Sequence, residues 1–346
     1  MKIDGREIGA AWPPYLIAEL SANHAGSLKA ALQGIDAAKA AGADAVKIQT
    51  YTPDTMTLDH RGPGFVIEGG LWDGRTLYDL YQEAHTPYAW HPALFEHARK
   101  VGITLFSTPF DTSAIELLES LNAPAYKIAS FELTDLPLIE RAAQTGKPLI
   151  LSTGMADEAE IEAAVQTARA NGARELLLLH CTSAYPAPVE AANVRSIPFL
   201  AGRFGVLTGL SDHTPGDTVA CAAVALGAVA VEKHFTPDRG LGGPDAAFSV
   251  EPAELKTLKS RMDETWRALG EEGLVRSEAE RENRRFRRSL YAAADIRAGE
   301  AFTLQNVRAI RPGYGLPPAE WPRVLASKAA CDIRRGTPLH EALIKV

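Results

Sequence analysis

Eight short apolar runs, each separated from the next by a longer stretch with helical spacing, constrain this chain more than any other feature. They are YLIAEL (15–20), DAVKIQT (44–50), ITLFST (103–108), AYKIAS (125–130), PLILST (148–153), ELLLLHC (175–181), FGVLTGLS (204–211) and AVAVEKH (228–234). Between them lie alanine-rich segments. After the last, Leu255, Leu258, Met262, Trp266 and Leu269 recur every three or four residues, marking one apolar helical face. Continuously apolar strands alternating with helices imply a parallel sheet covered on both faces. Eight such units predict a closed (β/α)8 TIM barrel over residues 1–270. An open doubly wound sheet is the structural alternative, but no Gly-x-Gly-x-x-Gly follows the first strand, which removes the usual dinucleotide reading.

The pattern changes after Gly270. Residues 271–288 are densely charged and read as a solvated linker or exposed helix. Residues 289–346 then repeat an Asp-Ile-Arg-x-Gly core, at Asp295 and, with one substitution in spacing, at Asp332. Two copies predict a small β-rich domain with internal pseudosymmetry. The chain's 346 residues suffice for a large and a small domain. Its net charge of -7 argues against a nucleic-acid partner. Three cysteines without close spacing argue against a disulfide framework or a cysteine-rich zinc site. No basic-then-apolar leader and no run of about 18 apolar residues is present, so no membrane partner and a cytoplasmic location are expected.

Polar residues gather where the predicted strands end, at the rim where barrel enzymes carry their chemistry. They are Glu19, Asn23 and His24; Lys47 and Gln49; Ser107, Thr108 and Asp111; Lys127, Ser130 and Glu132; Ser152 and Thr153; Thr182, Ser183 and Tyr185; Ser211, Asp212 and His213; Glu232 and His234. Any one of these is explained by helix capping; eight successive strand ends are not. Lys47 and Lys127 lie inside apolar runs, where lysine is rare unless paired. They read either as structural ion pairs with rim carboxylates or as an anion pocket with Thr108, Ser130, Ser152 and Ser211 as neutral donors. A Schiff-base lysine is a rival role. His213 and His234 close adjacent strands. Singly, each reads as a satisfied core residue; together, they read as a metal-binding pair with positions left open for substrate.

The segments IAELSANHAGSLKAA, GADAVKIQTYTPDTMTL, FSTPFD, AYKIASFE, LSTGM, HCTSAYPAP, GLSDHT, EKHFT and GGPDAAFS together resemble the sialic acid synthase family. The tail, with IRPGYGLPP, resembles that family's small antifreeze-like (SAF) domain. QTYTPDTMTLD, GLWDGRTLYDLYQEAHTPYAWH and CTSAYPAP resemble the branch whose members make pseudaminic acid; Ser183 stands where the sialic acid branch tends to have Asn. The resemblance implies condensation of phosphoenolpyruvate with 2,4-diacetamido-2,4,6-trideoxy-altrose. The alternatives are N-acetylneuraminic or legionaminic acid synthesis, or a metal-dependent aldolase. It implies a divalent metal (Mn2+, with Mg2+ or Co2+ as substitutes) on His213 and His234. Phosphoenolpyruvate would meet Lys47, Thr108, Lys127, Ser130, Ser152, Ser183 and Ser211, and the sugar Gln49, Glu132, Tyr185, Glu232, Asp245 and Arg311. Glu19 would handle a proton. A domain-swapped homodimer is the implied assembly.

Overall fold

The computed structural model describes residues 1–345, which form two units, one spanning Met1–Gly270 and the other running from Glu271 onward. In the first, eight parallel strands close a barrel: β1 (Tyr15–Glu19), β2 (Ala45–Thr50), β3 (Thr104–Pro109), β4 (Tyr126–Ile128), β5 (Leu149–Ser152), β6 (Leu176–Cys181), β7 (Leu207–Asp212) and β8 (Ala230–His234), with β8 pairing back to β1.

Two-residue periodicity sorts each strand into an outward and an inward set. Outward residues such as Leu16, Val46, Leu105, Ile128, Leu151, Leu178 and Val231 pack against the helices. Inward residues are apolar at the amino end: Ile17, Ala45, Phe106, Ala125, Ile150, Leu177 and Ala230 form a second core, floored by Ile3 and Ile8. Those two residues come from or just follow a ribbon pairing Lys2–Ile3 with Arg6–Glu7. Towards the carboxyl ends the inward set turns polar. Gly209 occupies a crowded inward position, where a Cβ would lie 2.4 Å from the Ala230 carbonyl oxygen.

Surrounding helices carry their own start signals. Helix Glu158–Ala170 opens with a capping box: the Asp157 side chain accepts from the Glu160 N–H, and the Glu160 side chain from the Asp157 N–H. It buries Ile161, Ala164, Val165 and Ala168. Helix Pro252–Leu269 buries Leu255, Leu258 and Met262, but its stripe leaves the core before Leu269.

Two expected strand limits move. The seventh run begins at Leu207, not at residue 204, because Phe204 ends helix Ser196–Phe204 and Gly205 caps it at φ 60°. The fourth strand stops at Ile128, and Ser130–Glu132 form a 3-10 turn beyond it.

In the second unit Ser289–Ala292 pairs antiparallel with Val307–Ile310, and Lys328–Ala329 with Ile344–Lys345, around Leu290, Ile296, Phe302, Val307, Val324, Ile333 and Leu339. The two sequence copies form a reciprocal lock. Ile296 and Ile333 exchange both backbone hydrogen bonds at 2.8 Å. Asp332 accepts from the Ala298 N–H at 2.8 Å, and Asp295 from the Arg335 N–H at 2.7 Å. The charged stretch 271–288 is exposed throughout, with Arg285 accepting a backbone bond from Gly313 at 2.8 Å. Among the described residues, no helix is long and apolar enough to cross a membrane.

Candidate active site

Strand register gathers the polar inward residues. Glu19 on β1 stands level with His234 on β8 and Lys47 on β2; Gln49 stands level with Thr108, and Ser211 with both Cys181 and Glu232. The Lys47 ammonium lies 3.0 Å from Glu19 Oε2 and 3.3 Å from Glu232 Oε1, and donates to Thr108 Oγ1 at 3.0 Å. Lys127 Nζ is 3.7 Å from the same Glu232 oxygen. All four charged groups are nearly inaccessible to solvent, so their protonation is set by one another. Burial would neutralise Lys47, but Glu19 and Glu232 hold its pKa above the ordinary lysine value. Burial prevails at Lys127 and lowers its pKa. Burial also works against ionised Glu232, yet Lys127 and Lys47 hold it below the usual carboxylate range. Glu19 is pushed up to about 7 by burial, which Lys47 opposes and Glu232 reinforces. Glu132 is likewise raised to about 7, burial outweighing Lys127, and its Oε2 has no partner.

Beside the lysines the pocket is lined with hydroxyls. Ser152 Oγ is buried and unpartnered. The Ser130 hydroxyl accepts from the Gly154 N–H at 3.1 Å. A Cβ on Gly154 would lie 2.2 Å from Ser183 Oγ and 2.7 Å from Ser130 Oγ, so glycine keeps open the space between these two donors. Two ammoniums, several hydroxyls and a backbone turn suit a small polyanion. Both readings of the lysines hold together: they are paired with rim carboxylates, and they face a polar cavity.

The His213 and His234 ring centroids are 5.3 Å apart. Nδ1–H of His213 donates to the Thr182 carbonyl at 3.0 Å, which leaves Nε2 with a free lone pair. His234 Nδ1 is buried without a hydrogen-bond partner, its nearest carboxylate being Asp245 at 3.8 Å. Burial, then the charges of His213 and the site lysines, hold the His234 imidazole well below its ordinary pKa, neutral and able to ligate. Among the described residues no cluster of three or more His, Cys, Asp or Glu has metal-holding geometry. Two imidazoles with orphaned nitrogens fit an ion whose other positions are filled by water and substrate. A polar chain runs from this pair to the lysines. Asp245 accepts from Ser21 Oγ, and Gln49 Nε2 donates to Ser21 Oγ and to Glu19 Oε1, each at 3.0 Å. Burial raises the Asp245 carboxyl above its ordinary value. The Tyr185 ring packs 4.3 Å from His213.

Other rim residues go elsewhere. Asp111 caps helix Thr112–Ser120. Ser107 faces outward and bonds Thr50 and the Ile48 carbonyl. His24 packs edge-on against Trp90 at 5.3 Å, and Asn23 donates to Phe235 O and Ser249 Oγ. Asp212 pairs with Lys233, a residue that the sequence reading missed. Lys233 Nζ donates to Asp212 Oδ2 and to the Thr214 carbonyl, both at 2.6 Å, while Asp212 Oδ1 accepts from Thr214 N–H and Oγ1. This buried brace ties the turn carrying His213 to the strand carrying His234. Cys181 also escaped notice. Its thiol lies 3.9 Å from His213 Nδ1; burial raises it, but His213 brings it down to about 7. Its inward parity after Leu177 and Leu179 was the available signal. Arg311 belongs to the second unit, exposed and directly after strand Val307–Ile310.

Residues 34–273 match the NeuB family model and residues 287–345 the SAF domain model. A pseudaminic acid synthase of Helicobacter pylori is 47% identical over 328 residues, covering 94% of this chain and 96% of its own. An N,N'-diacetyllegionaminic acid synthase of Campylobacter jejuni is 36% identical over 94% of this chain and 98% of its own. The crystal structure of an N-acetylneuraminic acid synthetase from Leptospira borgpetersenii, solved with citrate, superposes with a TM-score of 0.74 at 33% identity, covering 82% of this chain and 94% of that one.

Proposed function

We propose, from the premise that this chain belongs to the NeuB family, that it condenses phosphoenolpyruvate with 2,4-diacetamido-2,4,6-trideoxy-altrose to give pseudaminic acid and phosphate. The likeness to a pseudaminic acid synthase over almost the full length of both chains carries the reading, and the buried two-lysine pocket beside two imidazoles supports it. Lys47 and Lys127 bind the carboxylate and phosphate, with Thr108, Ser130, Ser152, Ser183 and Ser211 as neutral donors. Glu232 fixes both ammoniums before substrate arrives, so little reorganisation remains at the moment of reaction. A divalent metal on His213 and His234, Mn2+ in our reading, supplies Lewis-acid polarisation of the sugar's aldehyde oxygen. C3 of phosphoenolpyruvate forms the new bond to the sugar's C1, water adds at C2, and phosphate leaves by C–O cleavage. Glu19, with a carboxyl near 7, is suited to hold or move the proton of that water. Gln49, Glu132, Tyr185 and Asp245 orient the sugar.

The deciding assay is phosphate release from phosphoenolpyruvate with three sugars: the altrose, the legionaminic acid precursor and N-acetylmannosamine. Turnover fastest with the altrose is expected; release with N-acetylmannosamine alone would overturn the reading. Pyruvate serving as donor without phosphate release would instead favour the aldolase.

The Gly154 cradle gives a separate expectation. A methyl placed among Ser130 and Ser183 displaces the bound anion, so Gly154→Ala raises KM for phosphoenolpyruvate about a hundredfold while KM for the sugar changes little. Equal rises for both substrates would remove Gly154 from the anion site.

The assembly we propose is a cytoplasmic homodimer with exchanged small domains, Arg311 of each chain serving the other chain's barrel. Mixing inactive Arg311→Ala with inactive His213→Ala chains then restores activity, since one site in each heterodimer carries neither defect. Demonstrated heterodimers without recovered phosphate release would assign the small domain to its own barrel.

A further inference from the structure

The mechanism leaves an aromatic face beside the histidines unused. Trp72 comes from a loop excursion after β2, where Val66 bridges Thr76, and its indole N–H donates to the Pro244 carbonyl at 3.3 Å, next to Asp245. Its ring centroid lies 6.4 Å from that of Tyr185, which is 4.3 Å from His213 and 5.4 Å from Phe248; Phe248 is in turn 5.0 Å from His234. Three partly exposed aromatic rings thus run outward from the imidazole pair, with Trp72 at the far end.

A six-carbon open-chain sugar has a matching length. Five C–C bonds of about 1.5 Å, zigzagging, span about 6 Å. With the aldehyde end at the histidines, the chain's other end reaches the level of Trp72. The Trp72 indole N–H is already committed to Pro244, so the ring offers no hydrogen bond to a ligand there. Such a surface favours a methyl and leaves a hydroxyl without a partner.

Resting on the synthase reading above, the geometry points to Trp72 as a specificity-determining residue that takes the deoxygenated C6 methyl of the sugar and disfavours a C6 hydroxyl. The substrate class is therefore 6-deoxy amino sugars. A hydrophobic pocket rejects an added hydroxyl by about a hundredfold, which sets the scale of the preference.

The test compares kcat/KM for the trideoxy-altrose and its 6-hydroxy analogue in wild type, Trp72→Ala and Trp72→Phe, reading phosphate release and also KM for phosphoenolpyruvate. The wild type is expected to prefer the deoxy sugar about a hundredfold. Trp72→Ala should bring the ratio to within about tenfold by raising KM for the deoxy sugar, with KM for phosphoenolpyruvate unmoved, and Trp72→Phe should retain most of the preference. An unchanged ratio in Trp72→Ala, or equal losses for both sugars, overturns the role of Trp72 while leaving the synthase intact. A wild type that releases phosphate with neither sugar overturns the synthase reading, and this inference falls with it.

Discussion

His234→Ala is expected to lower kcat about a thousandfold at saturating Mn2+, because Lewis-acid polarisation is worth several kcal/mol and each ~1.4 kcal/mol is tenfold in rate. The fold should survive. His234 closes β8, its Nδ1 makes no hydrogen bond, and its ring is held neutral by burial. Removing it deletes an unpartnered polar atom rather than a structural contact. The Lys233–Asp212 brace one residue away still ties β8 to the turn after β7. Circular dichroism should therefore match wild type, whereas Mn2+ binding followed by electron paramagnetic resonance should weaken sharply. Wild-type turnover by this variant in exhaustively chelated buffer would refute the metal assignment.

The barrel and much of its site were legible in the sequence for one reason: strand parity. Apolar runs of five or six residues mark the strands, and within them a polar residue at every second position near the carboxyl end marks what faces the interior. Glu19, Lys47, Gln49, Thr108, Lys127, Ser152, Ser211, Glu232 and His234 all follow that rule. Parity applied strictly would also have found inward Cys181 and set aside outward Ser107. It would have flagged Lys233 as an outward lysine needing a buried partner, which Asp212 supplies. Residues beyond the strands escape the rule. Ser130 and Glu132 sit on a 3-10 turn, Asp111 caps a helix, and Trp72 and Phe248 reach the site from loops whose course depends on tertiary contacts. The small unit's repeat was visible, but its meaning, each Asp accepting from the other copy's backbone, needed coordinates.

Lys47→Met should cost both stability and activity, and the two losses can be separated. Lys47 faces two buried carboxylates, at 3.0 and 3.3 Å. Removing one partner of a buried ion pair costs about 3–5 kcal/mol, since the remaining charge is left uncompensated. Here the loss divides between two carboxyls of different character. Glu19, already near 7, loses the charge that opposed its burial and takes up a proton at neutral pH. Glu232 keeps Lys127 and stays closer to ionised. Its depressed pKa in the folded state contributes stability above the unfolded glutamate pKa, and that contribution fades as pH falls through the folded value. The variant should therefore lose less stability, relative to wild type, in acid than at neutral pH. Lys47→Met combined with Glu232→Gln should recover part of the melting temperature, because the second change removes the stranded charge. It should not recover activity, because phosphoenolpyruvate still lacks one of its two ammoniums. Recovery of both together would make Lys47 a structural residue only, and a melting temperature unmoved by Lys47→Met would mean that the three-charge cluster is not formed in solution.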